Sequence, residues 1–503
     1  MAGIGFKLQK LLSGDDYTSG LKAFGFSALI TSGPFLITIA LIVFVNYFSY
    51  DNLTDRGIAY LQSLITYCYA FSLLTVGFSY LVLTRYVADE YYRGHVTSFS
   101  ASFFSAYTIN LAVWGPLVFW YFSGLSVGWG MKIMAVLLYM LAMGMWLAMI
   151  FLSAAQNYWP VSRAFIVGLL VSLPAAYYLG MWHGLQGYFT GFVIGQAVVL
   201  ISLVSALVKE FGYWEPHDHN WIGYLTQHKR LIGIGVFFNL GIWIDKILFW
   251  ISPQGVWLDP RLRYSPIYDS AMFLAYLTII PTMVYFFLLI ETDFFFKYQA
   301  YYGAIQDQEG LTVLERRLKA IVTSLRTNLS RVFVVQGLIT LLSLLLAPWI
   351  LELARLSPLH LSVLRLGIFS AFIQAGMLVS MNILLYFDHQ KEALHVVASF
   401  CVLNAIFTEM SLRLGLFAYG YGFGLAALVS LTLCLYYLNS RLRDLHFWTF
   451  TRQPFPEPVL VLDEQDDEGF AAPIEVGDED EDENEDDSGP EVSEDAEPGT
   501  APA

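Results

Sequence analysis

Charge is what this 503-residue chain has least of: Asp, Glu, Lys and Arg make up 14% of it, against 56% hydrophobic residues and 17% aromatics. That balance excludes an ordinary globular domain of the cytosol, which carries about 25% charge. It equally excludes a disordered chain, which needs low hydrophobicity to stay unfolded. Cysteine is scarce too. Cys68, Cys401 and Cys434 all fall in apolar runs, so they form neither a disulfide framework nor a C-x-x-C pair and read as packing residues. Catalytic signatures are missing: no Ser-His-Asp or H-E-x-x-H arrangement is present. His217, Asp218 and His219 sit between Trp214 and Trp221 without the further His or Cys that zinc needs. Gly420, Gly422 and Gly424 open an apolar run with no strand before them, which favours close helix packing over a phosphate loop. The chain reads as a non-enzyme, with no catalytic residue, metal, cofactor or nucleic acid expected.

What it has is long apolar runs. About 20 apolar residues span a bilayer, and runs of that order occur at 23–48, 58–83, 101–122, 131–153, 164–181, 187–208, 231–251, 270–290, 332–351, 363–387, 393–412 and 417–438. The expectation is an all-α polytopic membrane protein with about twelve transmembrane helices in two six-helix bundles. Residues 1–22 read as a cytoplasmic amphipathic N-terminus rather than a cleaved leader, because the first run is a full span long. Residues 23–208 form the first bundle, 209–230 a cytoplasmic loop between bundles, and 231–438 the second bundle. A cytoplasmic loop at 291–331 interrupts the second bundle and carries an amphipathic surface helix. With an even count, both termini share one side; 19 Lys and Arg fall there and seven on the other, which makes the terminal side cytoplasmic. The formal charge of −15 hides two regions: from Asp463 onward lie 19 of the 42 acidic residues and none of the 27 basic ones, leaving 23 acidic against 27 basic, or +4, elsewhere. The tail at 439–503 is therefore expected to be cytoplasmic, and acidic and disordered from about 463.

Ionisable groups inside a span mark transport paths or their supports. Asp245 and Lys246 lie within the run at 231–251. Asn239 and Lys246, seven residues apart, return to nearly the same helical face, while Asp245 points about 100° away. That spacing lets Lys246 face a cavity while Asp245 meets a neighbouring helix. Asn110, Gln196, Glu291, Gln336, Gln374, Asn382, Asn404 and Glu409 add polarity within or at the ends of spans; each suits an interhelical hydrogen bond, and together they could line a hydrated path. Of these, Asn239, Asp245, Lys246, Asn110, Gln374, Asn382, Asn404 and Glu409 are the candidates for substrate path or gating. Gly33 with Pro34, and Pro281, permit kinks and read as helix hinges. Aromatics such as Trp257, Tyr264, Tyr298, Tyr301 and Tyr302 suit an interfacial belt, and aromatic faces also stack on sugar rings.

Four motifs carry a resemblance. Met1-Ala-Gly-Ile-Gly-Phe-Lys-Leu, Ile30-Thr-Ser-Gly-Pro34, Thr84-Arg-Tyr-Val-Ala-Asp89 and Asn239-Leu-Gly-Ile-Trp-Ile-Asp-Lys246, in that order and spacing, resemble the PelG family of Pel exopolysaccharide inner-membrane transporters, within the polysaccharide branch of the multidrug/oligosaccharidyl-lipid/polysaccharide exporter superfamily. The resemblance covers roughly residues 1–448; the acidic tail after Pro458 departs from it. It implies a twelve-helix transporter of the bacterial inner membrane that moves an N-acetylhexosamine-rich, partly deacetylated polymer from cytoplasm to periplasm for the biofilm matrix. It further implies a cytoplasmic glycosyltransferase and a membrane-anchored cyclic-di-GMP receptor as partners, besides the polymer and the lipid bilayer. Arg85 and Asp89 belong to its cytoplasmic motif. A flippase or antiporter for a lipid-linked sugar or drug, and a non-transporting scaffold for a glycosyltransferase, are the other readings.

Overall fold

Apolar runs with no water to satisfy their backbone must become helices, and the computed structural model, which describes residues 53–154, 159–212 and 219–451, is built almost wholly of them. In chain order they are α1 Asp55–Val76, α2 Tyr80–Tyr92, α3 Phe99–Ser123, α4 Trp129–Ala154, α5 Trp159–Phe211, α6 Trp221–Gln227 and α7 Lys229–Ile251. After the strands β1 Val256–Asp259 and β2 Leu262–Tyr264 come α8 Pro266–Leu277, α9 Ile280–Leu289, a π-turn at Ile290–Phe294 and α10 Phe295–Gln306. The remainder are α11 Leu311–Leu353, α12 His360–Tyr386, α13 Gln390–Leu414, α14 Tyr421–Arg443 and the short α15 Leu445–Thr451. Ten helical segments among the described residues are long and apolar enough to cross a membrane; the protein is a multi-pass, all-helical membrane protein. One of the ten, α5, is 53 residues long and broken at Gly184, whose φ of 57° lies in the left-handed region that glycine tolerates. The expected runs 164–181 and 187–208 fall on its two sides. The run 23–48, the N-terminus 1–22, the hinge pair Gly33 and Pro34, His217 with Asp218, and the acidic tail lie outside the described residues.

Three stretches differ in outline from the simple spans expected. The run 58–83 is split between α1 and α2 at Gly77–Ser79. The run 270–290 is split between α8 and α9, with Pro281 in the first turn of α9. Proline there has no N–H for the residue 277 carbonyl and crowds it, so the helix stops; Gln336 Nε2 on α11 donates to the freed Thr278 carbonyl at 3.3 Å. The connection 291–331 carries the helix expected in it and more: the π-turn and α10 fill its first half, and α11 runs unbroken for 43 residues from Leu311 into the span. Its leucines and valines at helical spacing belong to that one helix.

Helices in lipid are held by close packing and hydrogen bonds rather than by apolar burial, and the buried side chains sort into two main clusters. One is made by α1 to α6, the other mainly by α7 to α14. Three elements cross over. Trp250, Leu258 and Leu262, from the end of α7 and the hairpin, pack into the first cluster, and Val82 of α2 packs into the second. Gly422 and Gly424 let α14 approach α13 and α12 at Phe407 and Ser370, the close packing expected of them. Tyr301, expected at a membrane interface, is fully buried instead.

Candidate functional site

The two clusters meet along a seam formed by α1 and α2 on one side and α7 with its hairpin on the other. Near its middle the backbones touch. A Cβ on Gly235 of α7 would run into the carbonyl oxygen of Gly77, and one on Gly77 would lie 2.8 Å from Asn239 Nδ2. Only glycine fits at this crossing, and the crossing sits where α1 gives way to α2. Asn239 Nδ2 also donates to the Gly235 carbonyl at 2.9 Å, placing the predicted residue at the seam. Asn110 of α3 lies close by on the other wall: buried, it accepts from Ser79 Oγ at 3.3 Å and donates to the Ala106 carbonyl at 2.9 Å.

At one end the seam is closed by the β-hairpin, which the sequence reading did not anticipate. The strands pair antiparallel with an irregularity between Trp257 and Asp259, and their side chains reach the first cluster. Asp259 accepts from the Ser126 amide at 3.0 Å, from Ser126 Oγ at 2.5 Å and from Tyr60 Oη at 3.4 Å. Arg261 donates to the carbonyls of Trp120 and Tyr121 at 2.5 and 3.0 Å while its guanidinium covers the Trp120 ring. Tyr121 Oη donates to the Arg261 carbonyl. Tyr67 Oη donates to the Arg263 carbonyl at 2.9 Å, and its ring stacks on Trp250 at 4.4 Å between centroids. The opposite end is held, among the described residues, by an ion contact and by Val82 packed into the second cluster. Arg85 of α2 pairs with Asp89 at 3.0 Å and reaches Asp388, after α12, at 4.0 Å; the motif residues Arg85 and Asp89 are thus together, beside the second cluster.

Asp245 and Lys246 lie between these ends but within the second cluster. Asp245 is fully buried and accepts from Tyr268 Oη at 2.7 Å and from Lys246 Nζ at 3.0 Å. Lys246 Nζ also donates to the Ile242 carbonyl at 3.0 Å and lies over the Tyr276 ring at 4.7 Å. Asp245 thus meets a neighbouring helix, α8, as the spacing predicts, whereas Lys246 turns back toward Asp245. The flexible four-carbon stem lets the ammonium curl back to its neighbour, so the two charges neutralise one another. Asp269 and Tyr268, which sequence reading passed over, complete the cluster. Asp269 Oδ2 accepts from the Ser265 amide and from Trp250 Nε1, both at 2.8 Å, tying the end of α7 to the start of α8. An acidic residue one turn after Pro266 was the available signal.

The remaining candidates are dispersed. Asn404 of α13 is fully buried, donating to the Gly241 carbonyl at 2.9 Å and accepting from Thr408, a brace between α13 and α7. Gln374 is buried on α12, its Oε1 without a hydrogen-bond partner among the described residues, and Asn382 is half-buried on the same helix. Glu409 departs from an interior path: it is exposed, paired with Arg413 one turn on at 3.0 Å. Among the described residues no cluster of metal-ligating side chains occurs.

Two packed helical clusters meet along this seam, and solved structures share the fold. An outward-facing multidrug-resistance MATE family transporter of the MOP superfamily superimposes with a TM-score of 0.59 at 14% identity, covering 89% of this chain and 100% of that one. A MOP superfamily transporter from Pyrococcus furiosus gives 0.58 at 14%, covering 89% and 99%, and a MATE in the bent conformation gives 0.57 at 14%, covering 88% and 98%. No curated protein matches in sequence. Within this transporter class the family is definite: residues 1–450 match the model of PelG, "Putative exopolysaccharide Exporter (EPS-E)". The chain belongs to the PelG family.

Proposed function

We propose that the protein moves a Pel-type exopolysaccharide, an N-acetylhexosamine-rich and partly deacetylated polymer, from the cytoplasm across the bacterial inner membrane to the periplasm, with both its termini cytoplasmic. The observation that supports this reading best is the seam. Its two sides share a backbone contact at Gly77 and Gly235, a many-bonded clasp at the hairpin end and, among the described residues, a 4.0 Å ion contact together with the packing of Val82 into the second cluster at the other. Transporters of this architecture expose a central path by moving one bundle against the other. Residues 23–208 and 231–438 are the two bodies in this proposal, pivoting where glycines allow close approach. Breaking the clasp opens the hairpin end, which the positive-inside count assigns to the periplasm. Tyr67, Trp250 and Trp243 offer faces for sugar rings, and Asn110 and Asn239 offer amide hydrogen bonds. Asp245 and Lys246 hold the wall of the second body.

A glycosyltransferase would feed the polymer in at the cytoplasmic end, with a cyclic-di-GMP receptor as a further partner. The test is polymer translocation into proteoliposomes with and without the partner glycosyltransferase. Polymer inside only when both proteins are present is the expected result. Transport of a lipid-linked sugar or drug without the synthase would replace this reading with a small-substrate exporter, and synthesis without translocation would make the chain a scaffold.

A further inference from the structure

Helix α11 changes character along a single face. From Arg316 through Lys319, Thr323 and Thr327 to Arg331 the spacing follows the helical row, and these side chains, with Lys297 of α10 opposite, line an open cavity of about 500 Å³. From Val334 through Leu338, Leu341 and Leu345 the same row is aliphatic and exposed. An exposed aliphatic row on a spanning helix faces lipid tails, so the switch between Arg331 and Val334 marks where hydrocarbon gives way to headgroups.

Among its described lining residues the cavity holds more positive charge than they neutralise. The one carboxylate among its described lining residues, Asp293, is satisfied by Lys297 Nζ at 2.6 Å, Asn328 Nδ2 at 2.8 Å and Ser324 Oγ. Arg316, Lys319 and Arg331 have no ion-pair or hydrogen-bond partner among the described residues. Cationic residues at membrane edges commonly reach for the interface one by one. Here three converge on one concavity beside threonine hydroxyls, whereas Arg326, on the same helix, lies outside it.

We propose that this cavity binds the phosphate headgroup of an anionic membrane lipid, whose acyl chains lie along the aliphatic row of α11. The geometry favours a lipid over a soluble phosphate because the basic and aliphatic stretches are continuous on one face, and over a protein partner because that face runs into the hydrocarbon. Basic pockets beside membrane helices recognise anionic headgroups in this way.

The experiment uses the purified full chain in nanodiscs of phosphatidylcholine with phosphatidylglycerol or cardiolipin, reading retained lipid by native mass spectrometry. Wild type is expected to enrich the anionic lipid. Arg331→Gln should lower that enrichment about fivefold, the change worth roughly one interfacial charge. Arg326→Gln should leave it unchanged, and Arg331→Lys should retain it. Equal losses in Arg331→Gln and Arg326→Gln would reduce the effect to diffuse charge and overturn the site. So would a melting temperature raised as much by glycerol phosphate as by the lipid, or a lost protein partner with lipid enrichment intact. A triple Arg316→Gln, Lys319→Gln, Arg331→Gln variant should abolish enrichment; if it fails to fold, the matched single variants decide the question.

Discussion

Asp245 and Lys246 are consecutive residues whose side chains leave the helix in different directions, yet they end within 3.0 Å of one another. Removing one leaves the other buried and unpaired, which costs about 3 to 5 kcal/mol, whereas removing both with apolar or neutral groups of similar shape costs far less. Lys246→Met is therefore expected to lower the melting temperature in detergent sharply, and Asp245→Asn with Lys246→Met to recover most of it. Export measured on the double variant separates support from contact. Recovery of export with stability means that the pair holds the wall; a stable double variant that exports nothing would place one of them on the polymer. A second residue, Asp293, lies outside the spans. Burial alone would raise its pKa, but hydrogen bonds from Lys297, Ser324 and Asn328 outweigh that and hold it below the usual 3.8. A depressed folded value contributes stability above the unfolded pKa and loses it as pH falls through the depressed one. Asp293→Asn should thus melt below wild type at neutral pH, and the two melting curves should converge as pH falls below about 4.

At the scale of elements, breaks matter more than lengths. The α1–α2 break brings Gly77 against Gly235, and a methyl at either position overpacks a backbone crossing, at a cost of about 1 to 3 kcal/mol. Gly235→Ala should reduce both membrane abundance and export. Gly337→Ala on α11 is the matched control: its added carbon would meet nothing nearer than a Phe372 ring atom at 3.9 Å. The better helix propensity of alanine, worth up to about 1 kcal/mol, should leave abundance the same or higher. Immunoblots of membranes and an export assay on the two variants read the difference. The α8–α9 break was visible beforehand in Pro281, because a missing N–H is a property of the residue itself. The α1–α2 break was not, since Gly77 is one of 39 glycines and only the approach of α7 distinguishes it.

For the molecule as a whole, the hairpin clasp and the opposite end cannot both stay closed if a polymer passes between the bundles. Cysteines at Ser126 and Asp259, whose side chains are 2.5 Å apart, bridged by a disulfide or a short bifunctional reagent, are expected to stop export, and release of the bridge to restore it. The native Cys68, Cys401 and Cys434 are buried and free, so they should contribute little to the bridging. Export undiminished by a complete bridge would separate polymer passage from opening at the hairpin.

The all-helical, many-spanning character followed from the sequence alone, because any apolar run of span length must satisfy its own backbone in lipid. The intramembrane pair Asp245 and Lys246 and the proline break were legible for the same reason: charge in hydrocarbon and a lost N–H are local facts. What the tertiary structure decided were the relations between distant segments. Sequence placed Glu409 among path candidates, and its exposed pairing with Arg413 depends on which face of α13 turns outward. In the sequence the hairpin lies in the gap between the runs 231–251 and 270–290, and its role as a clasp depends on the walls of α1 and α3 that receive Asp259 and Arg261. Composition and periodicity fix what each segment must do with its own backbone; which segments then lie 3 Å apart is set by packing across the whole chain.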